Sequence, residues 1–328
     1  MTFFSGIIFV FLGSISSYIL LKYGNNFLKK FFLDNPNARS LHQRPIPRAA
    51  GLSFVIPLLT FDTLWGYFQI PSSQFPLSLY CIPLIIISII DDFKKVSSKY
   101  RYLVQFFSAI WILSTCNLDY LSSNIFLNIF YFLFFILFIT AVINFSNFMD
   151  GSDGLVAGCM FIFFFALNLK LNSNFSICLL LGALSIFIIW NWNPAKVFMG
   201  DVGSTFLGMY YVSDLLQFEN TQEAIGIFLI AAPFFGDAFF TIIRRLLSKQ
   251  NIFIAHRQHL YQRLCLGILS KDKVALFYMI QSMVIAFIYF RFNIIYEIAI
   301  IPICFLIMYL FEIRYALSFK ESIKKSLI

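Results

Sequence analysis

An all-α, polytopic membrane protein is the fold class this sequence predicts, and three observations carry the prediction. First, 60% of the 328 residues are hydrophobic, 44 of them Phe, and only 12% are charged. A soluble core of this chain length cannot take in so much apolar surface, so the surrounding solvent is lipid. Second, the apolar residues gather in ten or eleven runs, most of them near the ~20 residues that cross a bilayer as a helix. Third, threading the chain through a membrane at those runs leaves nearly all basic residues on one side.

In order, the runs cover residues 2–22, 51–70, 75–90, 102–118, 124–143, 155–171, 175–192, 204–217, 224–243, 274–290 and 294–311. The first has neither a basic leader nor a small-residue cleavage site and reads as a retained span. The run at 204–217 is short and the limits of 75–90 are soft, so ten spans is the alternative to eleven. With the N-terminus outside, the cytoplasmic segments are 23–50, 91–101, 144–154, 193–203, 244–273 and 312–328. Of the 24 Lys and Arg residues, only Lys170 and Arg291 then fall on the outer side. The outer loops carry Asp119, Glu219, Glu223 and Glu297 instead. No internal repeat, linker or soluble domain interrupts the pattern, and residues 1–328 read as a single integral-membrane domain.

The six cysteines are scattered without paired spacing and read as small apolar residues within helices, not as a disulfide set or a zinc site. A net charge of +8 gathered on the inner face suits anionic lipid headgroups and phosphorylated ligands. Without a separate basic domain, nucleic acid is not an expected partner.

The inner segments also hold nearly every residue able to do chemistry. Segment 91–101 opens with DDFKK, which supplies Asp91 and Asp92; segment 144–154 is NFSNFMDGSDG, with Asn144, Asn147, Asp150 and Asp153 stepping by three. That spacing places successive members near one another at a helix end, and the glycines that follow let backbone approach a ligand. NPAKVFMGDVG carries Asp201, and AHRQHLYQRL carries His256, Arg257, His259 and Arg263. HQRPIPRAAG adds His42, Arg44 and Arg48.

Taken singly, each has a plain explanation. An Asp at a helix end caps the next helix, and lysines such as Lys29, Lys30, Lys324 and Lys325 anchor the topology. Jointly, carboxylates from three inner segments facing basic residues from two others have a chemical use. Gathered carboxylates repel unless a cation sits among them, and oxygen donors favour Mg²⁺, or Mn²⁺ in its place. Arg and His beside them would hold phosphate by charge-assisted hydrogen bonds, which are the elements of metal-assisted phosphoryl transfer.

The ordered set HQRPIPRAAGL, DDFKK, NFSNFMDGSDGL, FMGDVGS and HRQHLYQRL resembles the polyprenyl-phosphate N-acetylhexosamine-1-phosphate transferases, a glycosyltransferase family 4 type of integral membrane enzyme. The resemblance implies a bundle of ten or eleven helices in the bacterial inner membrane with its site facing the cytoplasm. It implies a reaction in which undecaprenyl phosphate attacks the β-phosphorus of a UDP-sugar and UMP leaves. Asp91 resembles the base toward the lipid phosphate, with Asp92 beside it. Asp201 resembles the Mg²⁺ ligand, with Asn147 and Asp150 near nucleotide and metal and Asp153 in support. His256 and His259 match the loop that holds phosphate. A homodimer is a further implication.

Departures narrow the branch. HRQHLYQRL is less dense in histidine than the last long loop of phospho-N-acetylmuramoyl-pentapeptide transferase, and PIPRAAG replaces that enzyme's Pro-Thr-Met-Gly-Gly stretch. The expectation is therefore the branch that initiates O-antigen or related polysaccharides, with the peptidoglycan enzyme as runner-up. Arg44 or Arg48 stands in for a lysine of the first inner segment. Ala49 and Ala50, in place of a glycine run, predict less room for backbone approach. A solute transporter is the alternative of a different class; its candidates are the in-span Asp62, Asp214 and Asp237, the last expected to pair with Arg244.

Overall fold

The computed structural model describes residues 3–36, 40–68, 76–116, 124–171, 174–252, 254 and 256–326. Helix accounts for 77% of it, and the one sheet among the described residues is a two-residue antiparallel pair, so the class is all-α. In chain order the elements are α1 (Phe3–Phe31), β1 (Leu33–Asp34), β2 (Ile46–Pro47), α2 (Leu52–Phe68), a 3₁₀ turn (Leu77–Cys81), α3 (Ile82–Phe93), α4 (Ser98–Leu113), α5 (Ile125–Phe148), α6 (Leu155–Lys170), α7 (Phe175–Asn191) and α8 (Gly200–Leu215). They continue with α9 (Thr221–Leu229), α10 (Ala232–Leu247), α11 (Leu260–Leu266), α12 (Lys271–Arg291), α13 (Ile294–Tyr315) and α14 (Phe319–Ser326).

Among the described residues, four helices are long and apolar enough to cross a bilayer unaided: α1, α5, α12 and α13. The pair α9 and α10, bent by 76° at Ile230–Ala231, makes a fifth. Pro233 at the start of α10 has no N–H to continue the α9 ladder, which places the break there. The long helices present Phe126, Phe130, Leu137, Ile295, Ile298 and Ile313 outward, an apolar exterior that only lipid tolerates. The chain is a multi-pass membrane protein. Helices α6, α7 and α8 are shorter because they lie inside the bundle; nearly every residue of α8 is buried.

Several limits differ from the sequence reading; α5, for one, runs on to Phe148, so that Asn144 and Asn147 lie in the helix. Helix α1 runs on to Phe31, past the expected end at residue 22, because NNFLKKF keeps helical character and Lys29 and Lys30 complement the carbonyl end of the helix dipole. Helix α8 begins at Gly200, four residues early, so Asp201 lies in its first turn. The buried face of α1 meets α7 at very short range. A Cβ on Gly13 would lie 1.9 Å from the Leu179 carbonyl oxygen, and one on Gly182 would lie 1.9 Å from that of Val10. Small residues at this crossing let the two backbones touch.

Candidate functional site

The last turn of α3 delivers Asp91 and Asp92, and their adjacency sends them about 100° apart around the helix. Asp92 turns inward. Its Oδ1 accepts from the Asp201 N–H (3.3 Å) and its Oδ2 from the Val202 N–H (3.2 Å). Those N–H groups open α8 and have no intrahelical partner, so Asp92 caps α8 from another helix. Arg48 donates to the Asp92 carbonyl oxygen and holds its Nε 3.8 Å from Oδ1. Gly200, at φ +71°, makes the approach feasible: a Cβ there would lie 2.5 Å from Asp92 Oδ2.

The strap after β2 lies against the same turn. The Ala50 N–H donates to Phe198 O and the Gly51 N–H to Met199 O, both at 3.0 Å. Close backbone approach is therefore achieved with alanines, contrary to the expectation from their side chains, and Ala49 adopts a positive φ of 62° to do it. Arg48 enters the site through this strap, while Arg44, before β2, remains exposed.

Asp91 turns the other way. Its Oδ1 accepts from the Val96 N–H (2.6 Å), closing the turn into α4. Its Oδ2 accepts from Arg101 Nη1 (2.9 Å), and the same nitrogen donates to Asp201 Oδ2 (2.6 Å). A single guanidinium thus bridges carboxylates 110 positions apart in the chain. Sequence reasoning missed Arg101, because one more basic residue in a basic inner segment looks like a topology anchor. Asn147 donates to Ser204 Oγ (3.1 Å) one turn into α8 and lies against the Asp201 carboxylate. Asp150, in the turn after α5, feels the charges of Asp201 and Asp92.

Four carboxylates from three segments therefore meet at one end of the bundle. Burial first, and then the neighbouring Asp201 and Asp92, push Asp150 well above the usual carboxylate range. Asp92, beyond the apolar run of α3, is pushed up to about 7 by burial and then by Asp201. Asp201 is raised by burial and by Asp91 against the opposing pull of Arg101. Such a group resists ionising together unless positive charge enters it.

The histidine segment packs beside this cluster. Tyr261 OH donates to Phe148 O (3.0 Å) at the end of α5, and the His259 ring lies 6.0 Å from that of Phe148. His256 and His259 face each other with ring centroids 4.8 Å apart. Burial, reinforced by nearby positive charge, lowers both to about 3, so they enter neutral chemistry as hydrogen-bonding rings rather than cations. Arg257 is half-buried on the same segment.

Other expected site residues hold the frame. Asn144 donates to Gln105 Oε1 and to Thr140 O, both at 2.7 Å, tying α5 to α4. Asp153 is buried, accepts from Lys271 Nζ (2.8 Å) and the Ala195 N–H (3.1 Å), and joins α12 to the turn after α7. Arg263, 2% exposed, is bound to Glu312 (2.9 Å), Gln258 O and Leu317 O. Lys271 went unnoticed in the sequence for the same reason as Arg101, and Glu312 because a lone carboxylate just past an apolar run names no partner. Asp237 does not pair with Arg244, which binds Glu312 instead. Asp237 accepts from the Leu260 N–H (2.7 Å), the Tyr261 N–H (2.9 Å) and Tyr278 OH (2.8 Å), because α11 starts directly above it.

Clustered carboxylates with an arginine bridge, an amide and a flanking Arg/His segment thus lie together at one end of the bundle. The description "Glycosyl transferase family 4" matches residues 75–219, the segment that supplies Asp91, Asp92, Asn147, Asp150, Arg101 and Asp201. A probable undecaprenyl-phosphate N-acetylglucosaminyl 1-phosphate transferase of Bacillus subtilis is 28% identical over 76% of this chain and 74% of its own length. The undecaprenyl-phosphate alpha-N-acetylglucosaminyl 1-phosphate transferase of Yersinia pestis is 30% identical, over 71% and 69%. A phospho-N-acetylmuramoyl-pentapeptide-transferase of Dictyoglomus turgidum is 30% identical, over 64% and 73%. With the motifs, the helical bundle and these relatives in agreement, the chain belongs to glycosyl transferase family 4 as a membrane-embedded sugar-1-phosphate transferase.

Proposed function

We propose that this enzyme transfers an N-acetylhexosamine 1-phosphate from its UDP-sugar to undecaprenyl phosphate on the cytoplasmic face of a bacterial inner membrane. UMP leaves, and the lipid-linked sugar starts an O-antigen or related envelope polysaccharide. The supporting observation is the meeting of Asp91, Asp92, Asp150 and Asp201 at one end of the bundle. Repulsion among them is relieved by cations, and the reacting groups of this transfer are themselves anions that need the same relief.

The donors suit Mg²⁺ or Mn²⁺. They are carboxylate and amide oxygens without a thiol or imidazole at the centre. Among the described residues no three acidic, His or Cys side chains form a closed metal cage, so phosphate oxygens and water would complete the shell. Asp201, Asp150 and Asn147 would hold the ion, which when bound offsets the charge of the diphosphate. Asp91, turned away from the cap that Asp92 forms, takes the proton of the lipid phosphate. An oxygen of that phosphate attacks the β-phosphorus as the bond to the bridging oxygen breaks, and UMP carries that oxygen away. Arg48, Arg101 and the segment of His256, Arg257 and His259 orient the anions.

The test is UMP release by membranes given UDP-N-acetylhexosamine, undecaprenyl phosphate and Mg²⁺. Loss of release in Asp91→Asn and Asp201→Asn, with normal insertion, is expected; full activity in both rejects the site. The Dictyoglomus turgidum relative supports a second reading, the peptidoglycan reaction. Turnover of UDP-MurNAc-pentapeptide in place of UDP-N-acetylhexosamine would select it.

A further inference from the structure

Helix α8 carries acidic groups at both ends. Asp201 opens it at the transfer site, and Asp214, thirteen residues on, closes it about 20 Å away. Asp214 is 5% exposed, and its Oδ2 is buried without a hydrogen-bond partner. It lies within electrostatic reach of Asp62 on α2, which is 3% exposed. Asp62 accepts at both oxygens, from Ser176 Oγ of α7 (2.5 Å) and from Ser78 Oγ of the 3₁₀ turn. Tyr210, one turn before Asp214, packs into the same cluster and approaches Ser176.

Four separate elements thus converge on two carboxylates inside the membrane. Among the described residues no basic side chain forms an ion pair with either. An intramembrane carboxylate without a counter-charge is costly, and such groups mark ion or proton sites. Asp237 shows the contrast: it is equally buried, but four protein donors satisfy it, Thr241 Oγ1 (3.2 Å) among them. The two serine hydroxyls donate their protons to Asp62, so neither supplies a donor to Asp214 Oδ2. Within electrostatic reach of the unpartnered Asp214 Oδ2 there is thus a second carboxylate with two serine oxygens upon it, and no ion-paired cation among the described residues.

We propose that Asp62 and Asp214, with Ser78, Ser176 and Tyr210, form a second ligand site, for a hard cation, at the opposite end of α8 from the transfer site. An all-oxygen lining selects alkali or alkaline-earth ions over transition metals. Na⁺ and Ca²⁺ are the two sources of that chemistry. The site's occupant pins the far end of α8 to α2 and α7. It is separate from the reaction, so binding is its readout.

Purified full-length protein in detergent provides the test, in an Asp201→Asn background so that divalent binding at the transfer site does not contribute. Thermal unfolding is followed while Na⁺, K⁺, Ca²⁺ or Mg²⁺ replaces N-methyl-glucamine at constant ionic strength, with dialysis against ²²Na⁺ or ⁴⁵Ca²⁺ alongside. The expected result is a saturable rise in Tm with Na⁺ or Ca²⁺ and close to one bound ion per chain. Both are lost on adding Asp214→Asn, and Ser176→Ala, which keeps both carboxylates, weakens the apparent affinity roughly tenfold. The ion that acts identifies which source the site uses. No cation response, or an equal response with Asp214→Asn or Ser176→Ala, overturns the proposal in favour of a carboxyl pair sharing a proton.

Discussion

At the end of the bundle away from Asp201, four helices begin on an asparagine that caps its own backbone. Asn124, Asn174, Asn220 and Asn293 each accept from N–H groups two or three residues ahead in α5, α7, α9 and α13. At the Asp201 end three helix starts receive a cap from another helix, α11 in addition to its own capping box of His259 and Gln262. Asp92 of α3 receives the first N–H groups of α8, Asp237 of α10 receives those of α11, and Asn191 of α7 accepts from Gly154 at the start of α6 (3.0 Å). A local cap fixes one helix. A cap from another helix also fixes where two helices stand relative to each other, and a reaction site needs that relative position held. On the proposed reaction, the Asp201 end uses its carboxylates both as frame and as chemistry, and the two adjacent aspartates divide the work.

The largest expected effect separates Asp91 from Asp92. Asp91→Asn should cost on the order of 10³-fold in UMP release, because the proton acceptor at the lipid phosphate is lost. Its thermal unfolding should be nearly unchanged, because the amide oxygen still serves the Val96 N–H and Arg101 keeps Asp201. Asp201→Asn should match it. Asp92→Asn should lower both activity and stability, since an amide has one acceptor oxygen for two N–H groups; a buried N–H left unpaired costs about 1–3 kcal/mol. Equal stability in the Asp91 and Asp92 variants would dissolve the distinction between chemistry and cap.

Next comes Asp237→Ala. It strips Leu260, Tyr261 and Tyr278 of their acceptor in a buried place, so a loss of about 3 kcal/mol in denaturant unfolding is expected. The histidines of that segment give a smaller, pH-dependent signature. His259 is lowered to about 3 by burial and then by Arg245 and Arg263, against an ordinary value near 6.5. The unfolded chain then binds more protons than the folded one between those values. Stability is full above pH ~6.5 and falls as pH drops toward 3. Unfolding followed from pH 7 to 5 should show that decline in the native chain and less of it in His259→Gln; parallel curves would remove His259 as its source.

The division between local and distant caps also explains what could be read from the sequence. Runs of Phe, Ile and Leu announce lipid-facing helices directly, and eleven segments were placed close to where helices or the bent pair occur. DDFKK, the 144–154 segment and GDVG stood out because carboxylates are scarce in so apolar a chain. Partnerships were not legible. Nothing near Arg101 in the chain says that it joins Asp91 to Asp201, and nothing near Asp237 names α11 as its partner rather than Arg244. Likewise Asn144, Asp153 and Arg263 look like ligand contacts by type, and only packing reveals them tied to Gln105, Lys271 and Glu312. Residue type signals that a polar group is unusual in its surroundings; its partner depends on contacts made across the bundle.

The smallest effect sharpens the comparison from its other side. Asn220 accepts from the Gln222 N–H (2.9 Å) at the start of α9, in an exposed place where water can replace it. Asn220→Ala should therefore cost about 0.5–1 kcal/mol, and Asn220→Ser should recover most of that, because serine caps equally well. Neither should alter UMP release, since α9 meets α8 at the end away from Asp201, where Tyr211 OH donates to Ile227 O (2.8 Å). The decisive reading is the ratio: removing a cap from the far end should cost a fraction of what Asp237→Ala costs, and leave activity intact. If Asn220→Ala instead reduced UMP release as strongly as Asp92→Asn does, the bend between α9 and α10 would be transmitting strain to the site. The separation of the two ends argued here would then fail at that joint.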